Sequence, residues 1–399
     1  MRETVIVGAV RTPIGRFGGA YKDLTAQDLA SRTIKEVLSR THLDPALVDE
    51  VIFGCIVQGS DAANIARVAA LMAGMPVEVP AYTVQRNCAS GQAAITCAVQ
   101  AIQAGDGDIY MCGGVESMST APYVVRGARW GLRMRHSTLI DSLWEGLTDP
   151  ICDQMMGRTA ENLAEQYGVS REEQDSYAVA SHRKAFMATR SGRFGDEILP
   201  IEVKKYAAGQ EVASELITQD ECINPALTVQ KAALYPTVFK ENGTVTPANS
   251  CPISDGAAAC LVMTAEKAKE LDMEPMAYVR GYAYAGVDPS IMGIGPVYAA
   301  PKALARANVT LSDVDLVELN EAFAAQVLAV GKGLDKEGWD WDKVNVNGGA
   351  IALGHPVGCT GCRIVVTLLH EMQKRDLSLG LAMECVGGGQ GAALVLERK

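Results

Sequence analysis

The sequence is short of positive charge, of long apolar runs and of any export signal, and each shortage removes a class of function. Lysine and arginine number 36 against 47 aspartates and glutamates, giving a net charge of −11 and a pI near 5.1. That balance argues against nucleic acid as a partner and leaves only local basic patches for anionic ligands. No apolar stretch approaches the roughly 18 residues that span a bilayer. The opening Met1-Arg2-Glu3-Thr4-Val5-Ile6-Val7-Gly8 lacks the apolar region of a signal peptide. A cytoplasmic protein with no membrane partner is expected. There the 11 cysteines, an odd number, read as reduced thiols rather than a disulfide framework. Most should be small core residues, with one or two reactive.

Two motifs are missing their second halves. Gly387-Gly388-Gly389-Gln390-Gly391 is followed by no Gly-Lys-Ser/Thr and lacks the Rossmann spacing, so nucleotide binding there is discounted. Cys359-Thr360-Gly361-Cys362 has the spacing of a zinc or redox motif, but no second pair lies at a suitable distance, and no metal is expected.

What is present begins with size: 399 residues and 48% hydrophobic content imply two or more domains around a large core. Short β-branched runs (Val5-Ile6-Val7, Val51-Ile52-Phe53, Ile109 to Cys112) alternate with helical stretches (Asp28 to Arg40, Gly91 to Ala104), the rhythm of α/β layers. The chain also echoes itself. Leu43 to Gly54 resembles Leu311 to Asn320, and each follows an amphipathic helix. Asn87-Cys88-Ala89-Ser90-Gly91 pairs in the same order with Asn347-Gly348-Gly349-Ala350, and Cys112-Gly113-Gly114 with Cys385-Val386-Gly387. Two related halves explain the ordering; chance reuse of α/β patterns is the alternative. The expected division is 1–120 plus 248–270 for the first half, 121–247 for an inserted lobe and 271–399 for the second half. Within the lobe, Arg126, Arg129, Arg133 and Arg135 beside Trp130 read as solvated surface, with a subunit contact or phosphate site as the sharper option. A long polar helical stretch is expected from Arg158 to Arg190.

Four segments carry candidate chemistry. Cys88 lies between an extended run, Pro80 to Val84, and a helix ending at Gly105, so the thiol belongs at a helix amino terminus. There the helix dipole and free N–H groups favour a thiolate nucleophile; a thiol that merely packs is the bland reading. His355, set in Asn347-Gly-Gly-Ala-Ile-Ala-Leu-Gly-His-Pro-Val-Gly358, suits proton transfer near neutrality. Cys385 precedes a glycine run, where its side chain should reach an open cavity and neighbouring N–H groups can bind an oxyanion. Asn320, in Asn320-Glu321-Ala322-Phe323, should emerge at a strand end, where α/β proteins place their sites, although alone it would serve as a helix cap.

Together these four motifs resemble the thiolase family, in order, from Arg11-Thr12-Pro13 to the carboxyl terminus. The resemblance implies that family's duplicated αβαβα layered fold with an inserted loop domain. It also implies ping-pong acyl transfer between coenzyme A thioesters, which are substrates, so no cofactor is needed. Cys88 would carry the acyl group, His355 would activate it, and Cys385 would move the proton at the methyl carbon. His355 and a water on Asn320 would hold the enolate oxygen, and the N–H groups of Cys88 and Gly387 the tetrahedral adduct. Leu147, Met156, Phe239, Cys251, Ala322 and Phe323 would line the pantetheine channel. Two positions depart from the family: Met155 stands where a histidine is common, and Cys251 in Asn249-Ser250-Cys251-Pro252 where a serine contacts pantetheine. The expected reaction interconverts two acetyl-CoA with acetoacetyl-CoA plus coenzyme A. The alternatives are thiolysis of longer 3-ketoacyl-CoA chains and, from a different class, an acyl-CoA-binding subunit without catalysis. A homodimer or homotetramer is implied.

Overall fold

The structure, a computed structural model, describes residues 2–207 and 210–399. In chain order the main elements are β1 (Thr4–Arg11), α1 (Ala26–Thr41), β2 (Glu50–Gly54), β3 (Ala81–Val84), α2 (Ser90–Ala104) and β4 (Ile109–Ser117). After two helices outside the main sheet, α3 (Met156–Gln166) and α4 (Arg171–Arg190), come β5 (Ser254–Thr264), β6 (Ala277–Gly286), α5 (Gly295–Ala307) and β7 (Leu316–Leu319). The chain finishes with α6 (Ala324–Leu334), α7 (Val357–Arg375), β8 (Leu379–Val386) and β9 (Gln390–Glu397).

The strands lie in the order β7-β8-β9-β6-β1-β5-β4-β2-β3. On either side of the β6–β1 seam the same arrangement repeats. In the first half β2 runs parallel to both β3 and β4, β4 is antiparallel to β5, and β5 to β1. In the second, β7 runs parallel to β8 and bridges in parallel to Val344, β8 is antiparallel to β9, and β9 to β6. The first strands of the halves, β1 and β6, pair antiparallel at Val5–Tyr278 and Ile6–Ala277. Local punctuation repeats as well. Helices α1 and α5 both end in a left-handed residue, His42 and Asn308, and each is followed by a short 3-10 turn, Pro45–Leu47 or Leu311–Asp313, before its strand. The duplication expected from the sequence echoes is thus present in topology and in turn chemistry.

Alternation along the strands builds layers. On β5, Leu261 faces α1 residues such as Leu29 and Ile34, while Cys260 and Val262 face the core of α2 and α7. On β8, Leu381 packs toward α5 and Ala382 toward α7. The layers therefore run helix, sheet, helix pair, sheet, helix. Helix α7 is buried at every residue from Val357 to Met372, so it is the centre of the molecule. Its contact with α2 depends on glycine: a Cβ on Gly91 would lie 2.6 Å from the Cys362 nitrogen, and one on Gly361 would lie 2.5 Å from the Gln92 nitrogen.

Among the described residues from Met118 to Ile253, no strand of three or more residues joins the large sheet. The helical stretch expected from Arg158 to Arg190 is two helices, because Gly168 turns the chain with φ +59° and Ser170 opens a capping box with Glu173. Buried Arg11 ties β1 to this region through Glu197 (2.6 Å) and Asp220 (2.7 Å). No helix is long and apolar enough to cross a membrane among the described residues.

Candidate active site

Two loops from different halves meet where the sequence places its nucleophile. Cys88 ends the turn that leads into α2, and Asn87 before it adopts φ +43°. Ser90 locks that turn: its Oγ accepts the Arg86 N–H at 2.8 Å and donates to the Asn87 carbonyl at 2.7 Å. The Asn87 amide then donates to the Gly387 carbonyl at 2.7 Å, joining the Cys88 turn to the glycine loop after β8. The backbone N–H groups of Gly387 and of Cys88 itself act on the thiol and favour its charged form.

They do not dominate. Burial pushes the Cys88 thiol up to about 12, and the nearby carboxyl groups of Glu384 and Glu116 push in the same direction. The expectation that the helix terminus would favour a resting thiolate is therefore corrected: desolvation outweighs the dipole, and the resting group is a thiol.

His355 is buried between α7 and the end of β7. Its surroundings fix the tautomer. The Thr360 hydroxyl donates to the Pro356 carbonyl at 3.1 Å, which leaves its lone pairs for the His355 Nδ1–H at 2.7 Å. Nε2 then carries the lone pair, toward which the Asn320 amide points at 3.4 Å. Ser254 Oγ accepts the His355 backbone N–H at 3.3 Å. Burial first, and Arg363 second, lower the imidazole to about 3, so it rests neutral and able to accept a proton.

A cavity of about 200 Å³ joins these groups. Cys88 and His355 line it together with Leu147, Met156, Phe239, Cys251, Ala322 and Phe323, all six residues expected in the pantetheine channel. Met155 lines it too, so both departures from the family pattern face the same space. Phe239 and Phe323 meet edge to face at 6.2 Å between ring centres, and Ala322 accepts the Cys251 N–H at 3.0 Å. A second, more open cavity of about 700 Å³ reaches Cys88 past Ile56, Val57, Leu143, Ile151 and Gly387.

Cys385 differs from its expected setting. It is fully buried and packs with Met292, Ala322 and Phe323, three residues that line the smaller cavity. Burial raises its thiol well above the ordinary value, with Cys88, Glu384 and Cys251 adding to the shift. Asn320 is also fully buried, and its Oδ1 has no hydrogen-bond partner among the described residues. Of the expected basic cluster, Arg126 pairs with Glu145 at 2.7 Å and lines the larger cavity, while Arg129, Arg133 and Arg135 are exposed.

Sequence reasoning missed three supports. Thr360 orients the imidazole, Ser254 holds its backbone, and Glu116 accepts the N–H groups of Ile56, Val57 and Gly358 at 2.9–3.1 Å, clamping the loops on both sides of Cys88. The spacing His355 to Thr360 across a helix start was the one readable signal.

The model of the thiolase N-terminal domain matches residues 4–266, and that of the thiolase C-terminal domain matches 273–398. The chain belongs to the thiolase family. An acetyl-CoA acetyltransferase of Pseudomonas aeruginosa is 50% identical to this thiolase over 399 residues, the whole of both chains. Among solved structures, the Bacillus anthracis acetyl-CoA acetyltransferase is 48% identical with a TM-score of 0.96, covering 100% of this chain and 99% of that one. Human mitochondrial 3-ketoacyl-CoA thiolase in complex with CoA is 44% identical with a TM-score of 0.95, covering 100% and 98%. Thiolase chemistry therefore has a full-length scaffold here, and the loops that meet at Cys88 lie one in each matched domain.

Proposed function

We propose that this chain is an acetyl-CoA C-acyltransferase that interconverts two acetyl-CoA with acetoacetyl-CoA and free coenzyme A. The carrying observation is the joint lining of one channel-like cavity by Cys88, His355 and the six expected pantetheine contacts. In the first half-reaction the Cys88 sulfur attacks the thioester carbonyl while its proton passes to His355 Nε2. The N–H groups of Cys88 and Gly387 hold the oxyanion, and the carbon–sulfur bond to coenzyme A breaks. The departing thiolate takes the Cys385 proton, leaving a Cys385 thiolate and an imidazolium.

In the second half-reaction the Cys385 thiolate removes a methyl proton from acetyl-CoA, and the enolate oxygen rests against His355 and a water on Asn320. The unpartnered Asn320 Oδ1 supports that water. The enolate carbon then displaces Cys88, which recovers its proton from His355, and protons balance over the cycle. The wide separation of Cys88 and His355 in acidity supports proton transfer in concert with attack, not before it. No metal or further cofactor is required.

Steady-state kinetics test the class. Parallel double-reciprocal lines for thiolysis of acetoacetyl-CoA by coenzyme A are expected; binding without turnover would favour the acyl-CoA-binding subunit. Cys385→Ala should still accept an acetyl group from acetyl-CoA yet fail to exchange its methyl protons, and unchanged exchange would remove Cys385 from its role.

The second cavity favours one further reading. Its apolar residues Ile56, Val57, Leu143 and Ile151 suit acyl chains longer than acetyl, as in thiolysis of longer 3-ketoacyl-CoA. A turnover profile over chain length decides, with a steep preference for acetoacetyl-CoA excluding it.

We further propose the division into 1–120 plus 248–270, 121–247 and 271–399, a cytoplasmic location, a role in fatty acid metabolism and a homodimer or homotetramer. Trp130 at 83% exposure and Met134 at 89% support self-association.

A further inference from the structure

The face of the second half-sheet that looks onto α7 carries polar groups the acyl-transfer steps do not use. Arg363 on α7 and Glu318 on β7 are each 1% exposed, and Glu384 on β8 is fully buried. Alternation turns Glu384 away from Cys385 and toward α7, on the side where Ala382 joins the central core.

Donors and acceptors here do not balance. The guanidinium offers five N–H groups, yet among the described residues its one ionic contact is Nη1 to Glu318 Oε2 at 3.5 Å. Arg363 Nε, Nη1 and Nη2, Glu318 Oε1 and Glu384 Oε2 have no hydrogen-bond partner among the described residues. The second Glu384 oxygen is served by Gln92. With its amide turned to accept the Leu394 N–H at 3.0 Å, Gln92 donates to Glu384 Oε1 at 3.2 Å. Among the described residues, protein groups thus leave five polar atoms on three buried side chains without a partner, and buried polar groups are ordinarily paired with protein or ordered water.

Charge sharpens the shortage. One cation between two carboxyl groups is neutral only if one acid keeps its proton. Burial raises both acids, Glu318 to about 8 and Glu384 well above the carboxylate range, with Arg363 opposing the shift in each. A retained proton adds an O–H donor where acceptors are already too few.

We propose that Arg363, Glu318 and Glu384 enclose a site for ordered water that bridges the guanidinium to both carboxyl groups inside the central layer. Water supplies the missing lone pairs and accepts the partly open geometry of a 3.5 Å ion pair. Asn320 lies two residues beyond Glu318, and its Oδ1 is also unpartnered among the described residues. Arg363, whose charge helps keep His355 neutral, is then anchored through water. None of this depends on the acyl-transfer reading.

A crystal structure of the full chain that resolves ordered solvent tests the proposal. Water density that links the Arg363 guanidinium to carboxyl oxygens of both Glu318 and Glu384 within hydrogen-bond reach is expected. Direct paired contact of Arg363 with either carboxylate and no water between them would overturn it, as would a bound anion in that place. In Glu384→Leu the water beside Oε2 should vanish while that beside Glu318 stays, and unchanged density would remove Glu384 from the site. If that variant does not fold, the density in the unmodified protein decides alone.

Discussion

At the residue scale, the site rests on two groups held in their neutral forms. Desolvation raises the Cys88 thiol to about 12 and lowers the His355 imidazole to about 3, so neither changes charge near neutrality. kcat/KM, which reports groups of the free enzyme, should therefore be flat from about pH 5 to about pH 10. A break near the ordinary histidine value would mean that His355 is solvated. Residue types and motif order picked out Cys88, His355, Cys385 and Asn320 as candidates, and the fold gathers Cys88 and His355 at one cavity. Their ionisation was not legible in the sequence, because burial is set by side chains distant in the chain: Arg363 beside His355, and Glu116 and Glu384 beside Cys88. The same reason hid the closed setting of Cys385. Its glycine neighbours suggested an open loop, yet Met292, Ala322 and Phe323 cover it.

At the scale of elements, the crossing of α2 and α7 places the turns that carry Cys88 and His355. Cys88 precedes one helix and His355 the other, so their separation depends on how closely those helices pack. Gly91 and Gly361 set that approach. In Gly91→Ala the new methyl group would meet the backbone nitrogen of Cys362, which cannot move aside as a side chain would. A stability loss of about 1–3 kcal/mol is expected, read as a lower denaturation midpoint with a fall in turnover. An unchanged midpoint would show that the crossing has slack. Gly91 stood in a quoted motif, and a local reading takes it for part of a helix start. That it serves a contact with residues some 270 positions away needed the fold.

At the scale of the molecule, duplication brings the site together. The first half supplies the Cys88 turn and the second the His355 and Gly387 loops, and the hydrogen bond from Asn87 to Gly387 closes the seam between them. The echoes at Leu43, Asn87 and Cys112 announced the two halves, and strand order repeats them. The attachment of the intervening region was not readable, since the buried ion network of Arg11, Glu197 and Asp220 joins residues about 200 apart. Arg11→Met would strand two buried carboxylates, and a loss of about 3–5 kcal/mol is expected in thermal unfolding. A midpoint equal to that of the unmodified protein would contradict the clamp. The central claim is that the halves build one acyl-transfer site around Cys88, and mass spectrometry of the protein after incubation with acetoacetyl-CoA tests it most directly. An acetyl group on the peptide containing Cys88, absent from Cys88→Ala, is predicted; no adduct, or an adduct that survives in Cys88→Ala, would contradict it.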